Sequence, residues 1–296
     1  MTLLLLVAGL LGAAPASGLH ARTVPTAVRV PSNLIVGRAV CGGTTWFLTD
    51  FPELIAVSHA ALNPVVTPVK GLRFDDHPWG LACLADGSLW TLATSTTLAR
   101  LGPEATVWER RTQRLPRIAL FAWTNRLLQI ELPIAVGTPL FTTASVDPTD
   151  ARPWPGLIVR SADSRAALLA RNLANCGIAR GTSLPCWFAD DRRAVVSDGV
   201  NAYAVSFPAL TADDVDAEAP LWDIAFQHDD AYWLLVATKG AARAHKAGGR
   251  LLSTDKRGTA VSALQLPAPV RSIVVAGEKR CVLLAVDGTL VEVVGR

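Results

Sequence analysis

After residue 18 the chain has no hydrophobic run that reaches the roughly 18 uninterrupted apolar residues of a membrane-spanning helix, so none is expected in its body. Charge of one sign is equally scarce. The 28 Lys and Arg stand against 25 Asp and Glu, a net +3, and no long single-sign block occurs. That balance is too mild to point to a nucleic-acid partner. No aromatic residues alternate with the basic ones, which removes the stacking platform of a single-strand binder. Reaction signatures are missing as well. There is no G-x-S-x-G, no P-loop, no G-x-G-x-x-G, no H-E-x-x-H, no C-x-x-C and no Cys/His set with zinc spacing. Against these absences stands a hydrophobic fraction of 50%, enough apolar surface to exclude a disordered or collagen-like chain.

The first eighteen residues, MTLLLLVAGLLGAAPASG, carry no charged side chain and hold an apolar run from Leu3 to about Ala14. That length suits a signal-peptide core, and the small residues Ala14, Ala16 and Gly18 suit a cleavage site. The expected organisation is a signal peptide over 1–18 and one domain over 19–296, in a secreted or periplasmic protein. Export makes the five cysteines candidates for disulfides. Cys176 and Cys186 flank GIARGTSLP, a Gly- and Pro-bearing stretch that a bridge could close. Cys41, Cys83 and Cys281 sit inside apolar strand-like runs, where a cysteine behaves as a small buried hydrophobe. Position alone leaves Cys41 with Cys281 open as a second pairing.

Internal similarity organises the rest. Pro78 to Ala93 reads strand, Asp86-Gly87 turn, strand; Ile273 to Val294 repeats it around Asp287-Gly288, and Asp198-Gly199 lies between. Asp-Gly between apolar runs marks a hairpin, because both residues tolerate the positive φ of a tight turn. Counting all apolar hairpins gives seven units, starting near 40, 78, 117, 156, 186, 222 and 270. Spacings of this size are those of propeller blades. Proline falls at the junctions and helical periodicity is nearly absent, with Ser164 to Ala174 the one exception. The pattern predicts an all-β fold: a single β-propeller of seven blades, with six the alternative. Thr23 to Val40 is expected to supply an outer strand to the last blade, closing the ring.

The stretch P-W-G-L-A-x-x-x-D-G-S-L-W from Pro78, with the LARL that follows, resembles a blade of the NHL, streptogramin-lyase and gluconolactonase-type propellers. The final AGEKRCVLLAVDGTL resembles a regulator-of-chromosome-condensation repeat. Both resemblances imply the propeller fold. The first also implies that an enzyme of this shape would gather a metal or acid/base set at the channel mouth.

Asp75, Asp76 and His77 are the candidates for that set, since a carboxylate beside an imidazole orients it and raises its basicity. His228, Asp229 and Asp230 fall in the middle of a hairpin and read as solvated turn residues. Asp213, Asp214, Asp216 and Glu218 lack the Gly and distal Glu of a calcium loop. Lys239 to Arg257 is the most distinctive polar stretch, and its Arg243, His245, Lys246 and Arg250 are candidates for binding a polyanion. A second basic stretch holds Arg110, Arg111, Arg114 and Arg117. The nine tryptophans recur about once per blade and are expected to wedge between sheets.

The resulting expectation is a monomeric, non-catalytic propeller without a cofactor, binding or scaffolding a protein or glycan partner. The alternative is a lyase or lactonase acting on a small cyclic substrate, with Asp75, Asp76 or His77 among the ligands of a divalent cation such as calcium. A minor third reading has the rim accepting a partner strand or peptide.

Overall fold

The computed structural model describes residues 18–295 apart from 74, 85, 95, 113–116, 124–125, 132–142, 147–185, 189–192, 198–201, 207–220, 227–231, 237–247 and 256–258. Among the described residues every regular element is a strand, save one 3₁₀ turn at Ser32–Leu34. The protein is all-β, as expected. Strand β1 (Leu19–Val24) precedes a four-stranded sheet of β2 (Ile35–Cys41), β3 (Thr44–Thr49), β4 (Leu54–Ser58) and β5 (Pro64–Thr67). A second four-stranded sheet follows in the same simple order: β6 (Trp79–Cys83), β7 (Leu89–Thr94), β8 (Thr97–Leu101) and β9 (Glu109–Thr112). Two three-stranded sheets come next. They are β10 (Arg117–Trp123), β11 (Arg126–Glu131) and β12 (Thr143–Val146), then β13 (Cys186–Phe188), β14 (Arg193–Ser197) and β15 (Ala202–Ser206).

The last sheet joins β16 (Leu221–Phe226), β17 (Tyr232–Val236), β18 (Gly248–Thr254), β19 (Ala260–Ala276), β20 (Arg280–Ala285) and β21 (Leu290–Gly295), with β1 on its far edge. Strand β19 serves two groups. Its residues 260–265 pair with β18 and 272–276 with β20, while Val270 lies opposite both Gly248 of β18 and Ala285 of β20. Pro267 and Pro269 lie at the changeover, where a residue without an N–H costs the ladder nothing. Two four-stranded groups therefore share one strand, β16 to β19 and β19 to β21 with β1. All these sheets are open, and each runs in sequence order except where β1 is added.

The N-terminal pairing differs in place from the expectation. The strand laid antiparallel on β21 is Leu19–Val24, from Leu19 opposite Gly295 to Val24 opposite Leu290. Residues 35–40, expected within that outer strand, instead belong to β2, which begins the first sheet. Glu292 explains the anchoring: opposite Arg22 in register, it is buried and takes the Arg22 Nε at 2.6 Å and the Arg280 Nε at 2.6 Å. Arg22 and then Arg280 hold its carboxyl below the usual range, working against burial.

Successive sheets pack face to face. Trp233, Leu235 and Leu251 meet Ile273, Cys281 and Val293. Val274, Val282 and Leu284 meet Phe47, Ile55 and Val57 of the first sheet, which in turn packs Ala39, Leu48 and Leu54 on Leu81, Ala93 and Trp108 of the second. A sheet covered on both faces has no solvent side, which is why all five residues of β17 are buried and read as one continuous apolar run. Trp108 and Trp233 are buried between strand groups as anticipated, and Trp90 is buried among Ala82, Leu92 and Leu98 of its own sheet. The unit expected near residue 156, and Trp154, lie outside the described residues.

Two of the Asp-Gly turns share one geometry. Asp86 accepts from the Ser88 N–H at 2.9 Å and its hydroxyl at 2.6 Å, and Asp287 from the Thr289 N–H at 3.0 Å and its hydroxyl at 2.7 Å. Gly87 and Gly288 take φ of 80° and 85°, which only glycine adopts without strain. Yet they occupy different places. The first turn joins the first and second strands of its group, β6 and β7, whereas the second joins the second and third, β20 and β21. Asp198-Gly199 lies outside the described residues.

Candidate functional site

The connection from β5 to β6 carries Asp75, Asp76 and His77, and it is strapped onto the second sheet. The Lys70 N–H donates to the Thr106 carbonyl at 2.9 Å and the Trp108 N–H to the Lys70 carbonyl at 2.7 Å, a parallel bridge beside the start of β9. Asp76 closes the strap. It is buried, accepts the Arg73 N–H at 2.7 Å and takes Arg110 of β9 through both oxygens, with Nη2 at 2.9 Å from Oδ1 and Nη1 against Oδ2. Burial raises its pKa, but Arg110 and the Arg73 N–H outweigh that and hold the carboxyl below the usual range. Asp75 stays exposed. His77 turns towards Asp50 of the β3–β4 turn, Nδ1 to Oδ1 3.7 Å, with side chains 80% and 47% exposed. A pair so exposed contributes at most about 1 kcal/mol. The three expected ligands thus have three separate surroundings. Among the described residues no three His, Cys, Asp or Glu side chains gather within reach of one metal ion.

A second polar centre was not anticipated. Arg38 on β2 and Asp223 on β16 form an ion pair at 2.8 Å, with side chains 6% and 0% exposed. They meet over the part of β19 that has β20 on one side and, among the described residues, no strand on the other. Asp223 accepts the Ile273 N–H at 2.8 Å, and Arg38 donates to the Ile273 carbonyl. Both main-chain groups of Ile273 are therefore taken by side chains from the first strands of two other groups. The sequence did carry a signal, because Arg38 in LIVGRAVC and Asp223 in LWDIAF each interrupt an apolar strand run, where a charge is rare unless paired. Cys281 is buried beside this pair; burial and then Asp223 push its thiol well up, so it is held protonated.

First strands also meet directly. A Cβ on Gly37 of β2 would lie 2.7 Å from the Gly80 carbonyl carbon of β6, so the two backbones approach as closely as glycine allows. At the ends of the same strands Cys41 and Cys83 are joined in a disulfide, Cα to Cα 5.8 Å. This corrects the reading of both as small buried hydrophobes, and it excludes Cys41 with Cys281, which is free. The physical reason is topological: parallel neighbouring first strands bring their ends together although 42 residues separate them. Of the other expected pair, Cys176 lies outside the described residues, and Cys186 opens β13.

The polyanion candidates Arg243, His245 and Lys246 lie outside the described residues. Arg250 sits within β18, opposite Val236 of β17 and Gln265 of β19. No helix among the described residues is long and apolar enough to cross a membrane.

No protein-family model and no curated protein matches the chain. Solved structures do. A putative gluconolactonase is 11% identical with a TM-score of 0.50, covering 96% of this chain and 94% of its own. Regucalcin, a calcium-binding protein from Agrobacterium tumefaciens, is 12% identical at 0.47, covering 93% and 97%. Virginiamycin B lyase from Staphylococcus aureus is 9% identical at 0.44, covering 93% and 99%. At such identities the likeness is one of fold, and the fold is that of the β-propellers.

Proposed function

We propose that the protein is an exported, non-catalytic β-propeller that binds or scaffolds a protein or glycan partner. Residues 1–18 are its signal peptide in this reading. The ring has seven blades, or six, and β1 completes the last one. Cys41–Cys83 fits an oxidising compartment. The observation that carries the reading is the internal commitment of the buried charges. Arg38 and Asp223 hold the first strands of two groups to β19, and Asp76 holds a connection to β9. Committed in this way, these side chains and Arg110 of β9 are not free to meet substrate or metal.

The second reading is a metal-dependent lyase or lactonase. It keeps the exposed Asp75 and His77 of the β5–β6 connection, with the half-buried Asp50 of the β3–β4 turn beside His77. One experiment separates the two. The mature protein is analysed for metal content and unfolded thermally with and without EDTA. The binding-module reading expects no stoichiometric metal and an unchanged melting temperature. A bound divalent ion whose removal lowers the melting temperature overturns it in favour of the enzyme.

A further inference from the structure

We propose that the packing seam between the first sheet and the last is an acid-sensitive latch, and that His59 is the group that releases it. The seam is where the N-terminal and C-terminal parts of the chain meet, with Phe47, Ile55 and Val57 against Val274, Val282 and Leu284. Among the polar contacts that cross it, beside Arg38 with the Ile273 carbonyl, is a chain that ends on His59. The Thr45 hydroxyl of β3 lies 2.5 Å from the Val274 carbonyl and 2.9 Å from His59 Nε2. A hydroxyl has one proton, and the carbonyl can only accept, so that proton goes to Val274 and the Thr45 oxygen must accept from His59. The neutral ring is therefore the Nε2–H tautomer, with Nδ1 bare.

The main chain that carries the ring is held at both its polar groups. The His59 N–H donates to the Gly43 carbonyl at 2.9 Å, and the His59 carbonyl accepts Arg280 Nη1 at 3.4 Å. Arg280, from β20, is the charged group facing it across the seam. Behind Arg280 stands Glu292 of β21, which Arg280 shares with Arg22 of β1. The partners from β3 and β19, Thr45 and the Val274 main chain, are neutral. Among the described residues no carboxylate hydrogen-bonds the ring.

A proton added at Nδ1 therefore places a second cation beside Arg280 in a half-buried site. Burial, and after it Arg280, hold the pKa of the imidazole below its ordinary 6.5. The sign follows. Folded His59 binds its proton less readily than unfolded His59, so its contribution to the seam is complete above about pH 6.5 and is lost as the pH falls through the lower folded value. Seam opening solvates the ring, separates it from Arg280 and lets it protonate. The carboxylates Glu292, Asp76 and Asp287 have depressed pKa values and stay ionised throughout that range, so they do not share this response.

The test uses the mature, full-length protein. Histidine Hε1 resonances are followed by NMR from pH 8 to 4.5, and the His59 resonance is assigned by its loss in His59→Gln. Amide exchange in β3, β4, β20 and β21 is measured at pH 7 and pH 5.5 for the wild type and His59→Gln, whose side-chain amide can still donate to Thr45. The expected result is an imidazole that titrates below the ordinary 6.5. Intrinsic-rate-corrected exchange at the seam should rise on acidification in the wild type, up to tenfold for each pH unit between the folded and unfolded values, and stay flat in His59→Gln. A ring that titrates at or above 6.5, or equal acid responses in the two proteins, overturns the proposal. If His59→Gln does not fold, the wild-type titration decides alone.

Discussion

Replacing Arg38 by methionine removes the guanidinium while keeping much of the stem's volume, which makes the buried pair with Asp223 a quantitative test of how the groups are held together. Asp223 is fully buried and cannot reach water in place of its lost cation, and the Ile273 carbonyl loses a donor at the same time. Removing one partner of a buried pair costs about 3–5 kcal/mol, a large part of the roughly 5–15 kcal/mol that a folded domain holds. Asp223→Leu strands Arg38 in the same way and is expected to cost as much. The double variant leaves no buried charge. Its deficit is the two main-chain groups of Ile273, at about 1–3 kcal/mol each, so about 2–6 kcal/mol against about 6–10 for the two single losses added. A coupling of about 4 kcal/mol follows. Urea unfolding followed by tryptophan fluorescence, at constant slope, measures all four proteins. Additive losses, or a loss below about 1 kcal/mol for Arg38→Met, would refute the reasoning, because that is the behaviour of a solvated surface pair.

Replacing both Cys41 and Cys83 by serine should lower the unfolding free energy by about 4 kcal/mol, the chain-entropy value for a loop of their 42-residue separation. Alkylation before and after unfolding checks the assignment, with Cys281 modified only in the unfolded protein. Gly288→Ala would place a Cβ 2.2 Å from the Val30 carbonyl oxygen at φ +85°, whereas Gly42→Ala has φ +54° and open space. Both pay for the left-handed backbone, roughly 1–2 kcal/mol, but Gly288→Ala should lower the melting temperature clearly more. Equal shifts would mean that the turn does not press on Val30.

Architecture was legible because it rests on local physics. A strand buried on both faces must be apolar throughout, and a tight hairpin needs residues that tolerate positive φ; YWLLV and the Asp-Gly pairs therefore announce themselves. Unit starts near 78, 117, 186 and 222 coincide with β6, β10, β13 and β16 for this reason. The strand order within a group was not legible. The echo between Asp86-Gly87 and Asp287-Gly288 is a faithful likeness of turns, but it links different hairpins of their groups, so its spacing does not measure a repeat.

The sequence by itself determined that this chain is a succession of apolar hairpins, all-β and punctuated by proline, because each of those properties is settled within a few residues by backbone sterics and burial. Only the tertiary structure decided which charges and cysteines meet. Asp76 finds Arg110, Arg38 finds Asp223 and Cys41 finds Cys83 across 34, 185 and 42 residues. Nothing in local chemistry specifies such partners. They are chosen by the packing of one sheet on the next, which brings the ends and open edges of first strands together. That packing converted a suspected metal ligand into a structural anchor, and two ordinary-looking interruptions of apolar strands into the buried pair at Ile273 of β19.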